Sequence, residues 1–330
     1  MQYAPIALFT YNRADHTKQA VESLQKNEEA KYSDLIIFSD GPKNEKAKKG
    51  VEENRIFIRS LRDVNDNANL NISDNSPSLS REGREVFFKS VTIIEREKNW
   101  GLANSLIAGI TEIVNKYGRV IVVEDDLLLS PFFLKFMNDA LEKYDEEERV
   151  ASISAFLNPV EGEVPNTFFL RYFACWGWAT WKRGWDILIN DDRVLLKRLR
   201  WKKNDFNIGK SHNFYGILYC DKVGLNDSWA IRFYASQFLA GKLQLFPGKT
   251  MAIQTGTDGS GTHGTSVDHK YDNMNLCMEP LELDDIPIKE STLMYKKFSE
   301  FYSRGQKNTV KTEWERLKSF IRRLIGIDHR

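Results

Sequence analysis

The sequence predicts an α/β fold, with a mainly parallel sheet covered by helices on both faces. Four short apolar runs, largely β-branched, lie in the first half, at residues 5–9, 35–38, 91–94 and 120–123. Apolar residues at helical spacing lie between these runs, which favours parallel strands joined by helical crossovers. Ligands bind such sheets beyond the carboxyl ends of the strands. The polar residues that follow each run are therefore the candidates for a site.

The connecting segments carry helix signals. Asp15 is a plausible N-cap of the first helix, residues 45–61 are predicted to be helical, and Gly118 is placed to end a third helix. Ser130-Pro131 forms a favourable N-cap and N1 pair for a fourth. Residues 63–85 are rich in Asn, Asp and Ser, so we expect a long loop there.

The strand-helix alternation fades after about residue 150. Aromatic, glycine-rich and charged segments replace it, as expected for a substrate-binding half built onto the sheet. We therefore predict an α/β half over residues 1–150, a second half over 151–290 that shares the same core, and a C-terminal helical segment over 291–330.

The composition excludes several classes of protein. The 330 residues carry 47 basic and 46 acidic side chains, a net charge of +1, which argues against a dedicated nucleic-acid binder. Three widely spaced cysteines without a CxxC pair argue against a disulfide framework or a structural zinc site. No basic segment followed by a long apolar run begins the sequence, and no apolar stretch approaches about 20 residues. We expect a cytoplasmic protein.

An acidic triplet, Glu124-Asp125-Asp126, directly follows the fourth apolar run. Three carboxylates cannot turn unpaired into an apolar core, so they belong at the rim, paired or bound to a metal. Their hard oxygen ligands suit Mg²⁺ or Mn²⁺, which complete their shells with phosphate oxygens and water. The alternative is a solvated turn in which one acid caps the next helix.

Two nucleotide-binding classes lack their motifs. The first strand-helix turn reads TYNRAD and contains no glycine, so a GxGxxG dinucleotide fold is disfavoured. No GxxxxGK[ST] loop precedes the acidic triplet, which disfavours an NTPase.

The ordered motifs of residues 4–270 resemble the nucleotide-sugar-dependent glycosyltransferases of GT-A (Rossmann-like) fold. The pattern is similar to the N-acetylglucosaminyltransferase I type and to bacterial family-2-like sugar transferases. The motifs are TYNR, SDG, NWGL, EDD followed by SPFFLKFM, FFLRYFACWGWATWKRGWD, NDSWAIRF and TGTDGSGTHG. The resemblance implies transfer of a hexosyl or N-acetylhexosaminyl group from a nucleotide-diphosphate donor, most simply a UDP-sugar.

The resemblance implies donor contacts at the ends of the first strands. Asn12 and Arg13 match a turn that contacts the nucleotide, with Arg13 reaching a phosphate. Asp40 matches an acid that binds the uracil edge, which is chemically reasonable for a carboxylate facing an N–H. An Asx-turn before Gly41 is the alternative for Asp40. The resemblance also assigns Asn99, in the NWGL motif, to the donor contacts.

The acidic triplet takes its roles from the same resemblance. Asp126 would bind Mn²⁺ or Mg²⁺, Asp125 would face the donor ribose or sugar, and Glu124 would support both. Asp227 matches the general base of an inverting transfer, which removes the proton of the attacking hydroxyl. Without the resemblance, Asp227 would be an ordinary loop acid or helix cap.

Aromatic and glycine-rich segments complete the predicted site. Four indoles lie between residues 176 and 185, and Gly177 and Trp178 are assigned to the donor. Sugars stack on such rings, although a large aromatic core is the alternative. Residues 254–265 are expected to close over the donor, with His263 as a phosphate or metal contact or simply a solvated side chain.

The C-terminal residues 311–330 combine an apolar helical face with Lys and Arg. This pattern predicts either peripheral contact with the inner face of a membrane, which would suit a lipid-linked saccharide acceptor, or docking on the domain or on a second subunit. Other classes also stay open for the whole chain. A glycoside hydrolase would use paired carboxylates and aromatic residues, and a non-catalytic sugar- or lipid-binding module would use the aromatic residues alone.

Overall fold

The computed structural model describes residues 2–73, 87–256, 271 and 274–304, and it is built around a mixed eight-stranded sheet. The strands of this sheet are β1 (Ile6–Thr10), β2 (Asp34–Ser39), β3 (Ser90–Glu95), β4 (Arg119–Glu124), β6 (Val150–Ser154), β7 (Thr167–Leu170), β8 (Trp178–Trp181) and β9 (Leu243–Pro247). Two further strands, β5 (Leu127–Leu129) and β10 (Ala252–Gln254), form a separate antiparallel pair.

Helices cover the sheet. They are α1 (Ala14–Gln25), α2 (Glu45–Ser73), α3 (Leu102–Tyr117), α4 (Phe133–Lys143), α5 (Lys182–Trp185), α6 (Asp192–Leu199), α7 (Lys203–Phe206), α8 (Phe214–Lys222) and α9 (Trp229–Leu239). A 3₁₀ helix covers Glu28–Tyr32, and residues 292–304 are also helical.

The strand order is β3-β2-β1-β4-β8-β6-β9-β7, and its first four strands are parallel. These are the four strands predicted from the apolar runs, and they confirm the α/β class. The strands from residues after 150 continue the same sheet with mixed direction: β8 is antiparallel to both β4 and β6, and β9 is parallel to β6.

Each face of the sheet has its own apolar core, because successive strand residues point to opposite sides. Ala7 and Phe9 of β1 pack in one cluster with residues of α3, whereas Ile6 and Leu8 pack in the other with residues of α1 and α4. Both clusters include residues from before and after position 150. The expectation of helices on both faces is thus confirmed.

The predicted loop over residues 63–85 is wrong in its first part, since α2 continues to Ser73. Asn65 is buried on the helix face that also buries Ile58 and Leu61, and its side-chain oxygen accepts a hydrogen bond from the backbone N–H of Phe88 at 3.0 Å. Asparagine signals a turn in sequence terms, but here a tertiary hydrogen bond satisfies it inside a helix. Residues 74–86 lie outside the described part.

Two helix starts differ slightly from prediction. α1 begins at Ala14 with Arg13 at the N-cap, rather than after Asp15. α4 begins at Phe133, and its first turn is capped from a distance. The side-chain oxygen of Asn27 accepts a hydrogen bond from the Leu134 N–H at 2.8 Å, while Ser130 Oγ accepts one from the Phe132 N–H at 3.1 Å. Gly118, with a left-handed φ of 79°, ends α3 as predicted.

The described residues contain no helix that is both long enough and apolar enough to cross a membrane. The amphipathic segment over residues 311–330 lies outside the described part, so its two alternatives stay predictions.

We predict that Asn27→Ala destabilises the fold by about 2 kcal/mol, because it removes a buried cap of α4. Asn27 is 3% exposed, and its side-chain nitrogen also donates to the carbonyls of Ser23 and Ser130. Urea unfolding measures the loss. Asn204→Ala, at an exposed asparagine, is the matched control. Equal stability of the two variants would contradict the assigned cap.

Candidate functional site

The carboxyl ends of β2, β1 and β4 lie side by side at one edge of the sheet. Phe9 is paired with Glu124, and Thr10 with Ser39. The backbone N–H of Asp125 donates to the Phe9 carbonyl at 3.1 Å. The side chains that follow these three strands therefore meet at a single edge, where α/β proteins bind ligands.

Arg13 joins this edge together. Its Nη2 donates to Asp125 Oδ1 at 2.6 Å and to Asp126 Oδ2 at 2.9 Å, so one guanidinium bridges two carboxylates. Its other terminal nitrogen, Nη1, is buried without a hydrogen-bond partner among the described residues. A buried donor of this kind is costly unless a ligand satisfies it.

Burial and neighbouring negative charge raise the pKa values of Glu124 and Asp125. Burial raises the pKa of Asp125 to about 6, although the nearby charge of Arg13 opposes the rise. The pKa of Glu124 is raised still further, first by burial and then by the charges of Asp126 and Asp125. For Arg13, burial would lower the pKa, but the two aspartates outweigh it and raise the pKa. By formal charge, two aspartates face one guanidinium, which leaves the cluster net negative.

The β5–β10 pair brings a second segment over Asp126. The backbone N–H and the hydroxyl of Thr255 donate to the Asp126 carbonyl at 2.7 and 3.0 Å. A Cβ atom on Gly256 would lie 2.5 Å from Asp126 Oδ2 and 2.9 Å from Arg13 Nη1, so only glycine fits this position. The predicted closing segment thus contacts Asp126 at its start. Residues 257–270, including His263, lie outside the described part.

The donor set is compatible with a divalent cation that is shared with a ligand. No group of three His, Cys, Asp or Glu side chains arranged to hold a metal occurs in the described ranges. One carboxylate oxygen of Asp126 accepts the hydrogen bond from Arg13, so the other carboxylate oxygen of Asp126 would be the ligand that the protein supplies to the cation. Mg²⁺ commonly binds through one or two carboxylates and completes its shell with phosphate oxygens and water. The net negative charge of the cluster fits this mode of binding.

Asp40 lies at the end of β2 with its carboxylate fully engaged. Oδ1 accepts hydrogen bonds from the N–H groups of Gly41 and Trp100, both at 2.9 Å. Oδ2 accepts from the Gly101 N–H and from Asn99 Nδ2, both at 3.0 Å. The bond to Gly41 joins adjacent residues and is not the alternative Asx-turn, which would need an N–H two positions on, where Pro42 has none. Asp40 and Asn99 therefore hold the NWGL turn at the start of α3, and their donor roles stay predictions.

Residues of α2 contact and support the TYNR turn. Asn54 Nδ2 donates to Thr10 Oγ1 at 2.9 Å, and a Cβ atom on Gly50 would lie 2.7 Å from the Asn12 carbonyl oxygen. Asn12 is half-buried at this turn, beside Arg13. Asn54 was missed from the sequence, although a polar residue on the face that buries Val51 and Ile58 was a usable signal.

Asp227 lies just before α9 and is half exposed, with 59% of its side chain accessible. Its Oδ1 accepts a hydrogen bond from Nη2 of the buried Arg232 at 2.8 Å. Arg232 also faces Asp221 Oδ2 at 3.6 Å and Asp192 Oδ2 at 4.0 Å. Sequence reasoning missed Arg232 and Asp221. Arg232 lay within the NDSWAIRF motif, but nothing in the sequence linked Asp221 to it.

The structure separates the clustered tryptophans. Trp178 is fully buried in the core, where it stacks on Trp229 at 5.4 Å, and this position gives it no surface for a ligand. Phe133, Ala155 and Ala252 fill the space beside Gly177. The left-handed φ of Gly177, 67°, therefore serves the packing of these side chains. Trp178 therefore belongs to the aromatic core that was the alternative to sugar stacking.

Of the four indoles between residues 176 and 185, Trp176 is the accessible one, and it borders an open cavity of about 210 Å³. Its ring packs edge-on against Phe156 at 4.4 Å and Tyr271 at 5.0 Å. Besides these three rings, the cavity is lined by Tyr172, Phe173, Ala174, Cys175, Phe214, Ile217, Ser228, Ala230, Ile231, Tyr234 and Tyr302. Among the described residues that line the cavity, none carries a charged side chain, which suits a neutral ligand with apolar faces.

Two residues of the cavity lining are related to the acidic groups. Burial raises the pKa of the Cys175 thiol well above its ordinary value, and the charges of Glu124 and Asp126 add to that rise. Cys175 lines the cavity, and so does Ser228, which is next to Asp227 in the chain. The lining thus includes one residue that is affected by the charges of the acidic triplet and one neighbour of Asp227 in the chain.

No protein-family model and no curated protein matches this chain. Its strand order and the acidic end of β4 fit a GT-A-like α/β fold. Among solved structures, S. aureus TarS 1–349 is similar with a TM-score of 0.39 and 11% identity, covering 77% of this chain and 61% of that chain. The glycosyltransferase GlyE of Streptococcus pneumoniae TIGR4 has a TM-score of 0.34 and 9% identity, over 74% of this chain and 45% of that one.

A UDP-glucose pyrophosphorylase complexed with UDP-glucose is also similar, with a TM-score of 0.35 and 14% identity. The match covers 74% of this chain and 90% of that chain. The present chain thus spans less than two thirds of the TarS and GlyE structures.

We predict that Asp221 makes the stability of the protein fall as pH rises from about 4 to above 6. Burial raises the pKa of Asp221 from 3.8 to about 6. Between these two pH values the folded state therefore still holds a proton that the unfolded state has already released, so raising the pH favours unfolding. Asp221→Asn cannot titrate and should flatten this part of the profile. Thermal unfolding across the pH range measures it, with the exposed Asp186→Asn as control. Parallel profiles for the wild type and Asp221→Asn would contradict this prediction.

Proposed function

We propose that this protein is a metal-dependent glycosyltransferase that uses a nucleotide-diphosphate sugar, most simply a UDP-sugar. The observation that carries the proposal is the buried Nη1 of Arg13 beside Asp126, which has no hydrogen-bond partner in the described part of the chain. A diphosphate would supply the missing acceptor for this donor, because guanidinium groups pair well with phosphate oxygens. The aromatic cavity has the uncharged, apolar lining that a sugar ring needs.

The donor site follows from the positions of these residues. Arg13 would bind the diphosphate, and Asn12, Asp40 and Asn99 line the strand ends where the nucleoside would lie. Asp126 would hold Mn²⁺ or Mg²⁺, which would neutralise charge on the departing diphosphate. Asp125, fixed by Arg13 and by the Tyr11 N–H at 3.2 Å, would orient the ribose or sugar. Glu124 would support this group from β4.

Asp227 is the proposed general base of an inverting transfer. It would accept the proton of the acceptor hydroxyl as that oxygen attacks the anomeric carbon opposite the diphosphate. Arg232 fixes its carboxylate at 2.8 Å, so Arg232 is a positioning residue. The acceptor is proposed to be a glycan or lipid-linked saccharide, and contact of residues 311–330 with a membrane is part of the same proposal. The resemblance to the N-acetylglucosaminyltransferase I type supports inversion.

Two substitutions should separate binding from transfer. Asp126→Ala should lose Mn²⁺-dependent UDP binding, because it removes the proposed protein ligand of the metal. Asp227→Asn should keep that binding but lower transfer by at least about 100-fold, because it removes the base. Thermal shift with UDP and Mn²⁺ and a transfer assay over a panel of nucleotide sugars measure the two effects.

The exposed Asp186→Ala is the control for both substitutions. Full transfer activity in both site variants would refute the site assignment. Rapid hydrolysis of glycosides without any nucleotide would instead indicate a glycoside hydrolase.

We also predict that Trp176→Ala weakens binding of the sugar and not of the nucleotide. Loss of the ring removes a stacking surface, so the KM for the sugar-bearing substrate should rise roughly tenfold, while the Kd for UDP stays unchanged. Tyr32→Ala, at an exposed ring near the opposite end of β2, is the control. An equal loss of UDP and sugar affinity would place Trp176 elsewhere in the site.

A further inference from the structure

A continuous basic surface covers residues 193–203, along α6 and into α7. Six cationic side chains occur in these eleven residues without an intervening acid, whereas the whole chain carries a net charge of only +1. All six are exposed: Arg193, Lys197, Arg198, Arg200, Lys202 and Lys203. The near-neutral composition of the chain therefore conceals one strongly positive surface.

The charges of this basic surface are not neutralised within the described part of the chain. None of the six side chains forms an ion pair there. Arg200 lies over the Trp201 ring at 4.9 Å, and Lys203 lies over the Tyr215 ring at 4.1 Å. Contacts with aromatic rings leave the full positive charge in place. The surface is thus available to an anionic partner.

The fold holds the basic surface in a fixed orientation. Leu195, Leu196 and Leu199 of α6 are buried in the core, so the cationic residues of the helix must face outward. Trp201 follows the helix and is 83% exposed, the most exposed large apolar side chain in the described residues. An exposed indole with cationic neighbours in the chain presents both an apolar anchor and positive charge.

We propose that the basic surface binds an anionic lipid bilayer at the headgroup level. Each Lys or Arg near an anionic membrane contributes about 1 kcal/mol, and tryptophan prefers the boundary between headgroups and acyl chains. A soluble polyanion would use the cations but has no apolar layer for Trp201. The combination on one exposed surface therefore favours a membrane. This surface does not include residues 311–330, and the proposal does not depend on the glycosyl-transfer reaction.

Vesicle binding by the full chain tests the proposal. Sedimentation with vesicles of phosphatidylglycerol and phosphatidylcholine should show binding that increases with the anionic fraction and weakens with salt. Arg198→Gln with Lys202→Gln should lower the partition coefficient about 25-fold, since a loss of 1 kcal/mol at each site is about fivefold. The matched pair Lys26→Gln with Lys289→Gln, at exposed lysines elsewhere, should stay within about twofold of wild type.

Trp201 provides an independent readout. Vesicles with brominated acyl chains should quench part of the tryptophan fluorescence of the wild type. The comparison is made with Trp314→Phe present in both proteins, because Trp314 belongs to residues 311–330. Trp201→Phe should then still bind but lose that quenching, because the remaining six tryptophans belong to neither segment. Unchanged quenching in Trp201→Phe would overturn the proposal.

Unchanged vesicle binding in the 198/202 variant would also overturn the proposal. Binding of soluble heparin or polyphosphate through the same cations, without binding to vesicles, would overturn it in favour of a soluble polyanion. Circular dichroism confirms that each variant is folded before these outcomes are compared.

Discussion

The bridge from Arg13 to Asp125 and Asp126 is the interaction on which the site depends. Three strand ends bring acidic and basic groups to one edge of the sheet, and burial there would make unpaired carboxylates costly. Arg13 offsets this cost for two aspartates, and it leaves a cluster of negative formal charge with one donor that is unsatisfied among the described residues. The proposed ligand, an anion bound together with a cation, would satisfy both features. The packing of Gly256 against both groups closes the cluster.

The aromatic residues have two distinct roles. Trp178 stabilises the core beside Trp229, whereas Trp176 borders the aromatic cavity. The structural indole, Trp178, and the indole available to a ligand, Trp176, are only two positions apart in the chain. The excess of tryptophan in the composition therefore reflects both the packing of the second half and the lining of the proposed sugar site.

The basic surface gives the proposed enzyme an orientation. α6 begins at Asp192, whose carboxylate lies 4.0 Å from the Arg232 guanidinium that holds Asp227. The helix that carries the cations is therefore connected to the side of the site assigned to the acceptor. An enzyme held by this surface would present the Asp227 side near the bilayer, which is where a lipid-linked acceptor would be found.

The α/β class, the four parallel strands and the polar strand ends can be predicted from the sequence alone, because strand periodicity and strand-end acids are local patterns. The remaining features depend on contacts between distant segments. Asn65 lies in a helix through a hydrogen bond to Phe88, and Arg13 pairs with acids more than a hundred residues away. Packing across the sheet likewise explains why Trp178 is buried and Trp176 is not. Such contacts join distant segments, so no local pattern contains them.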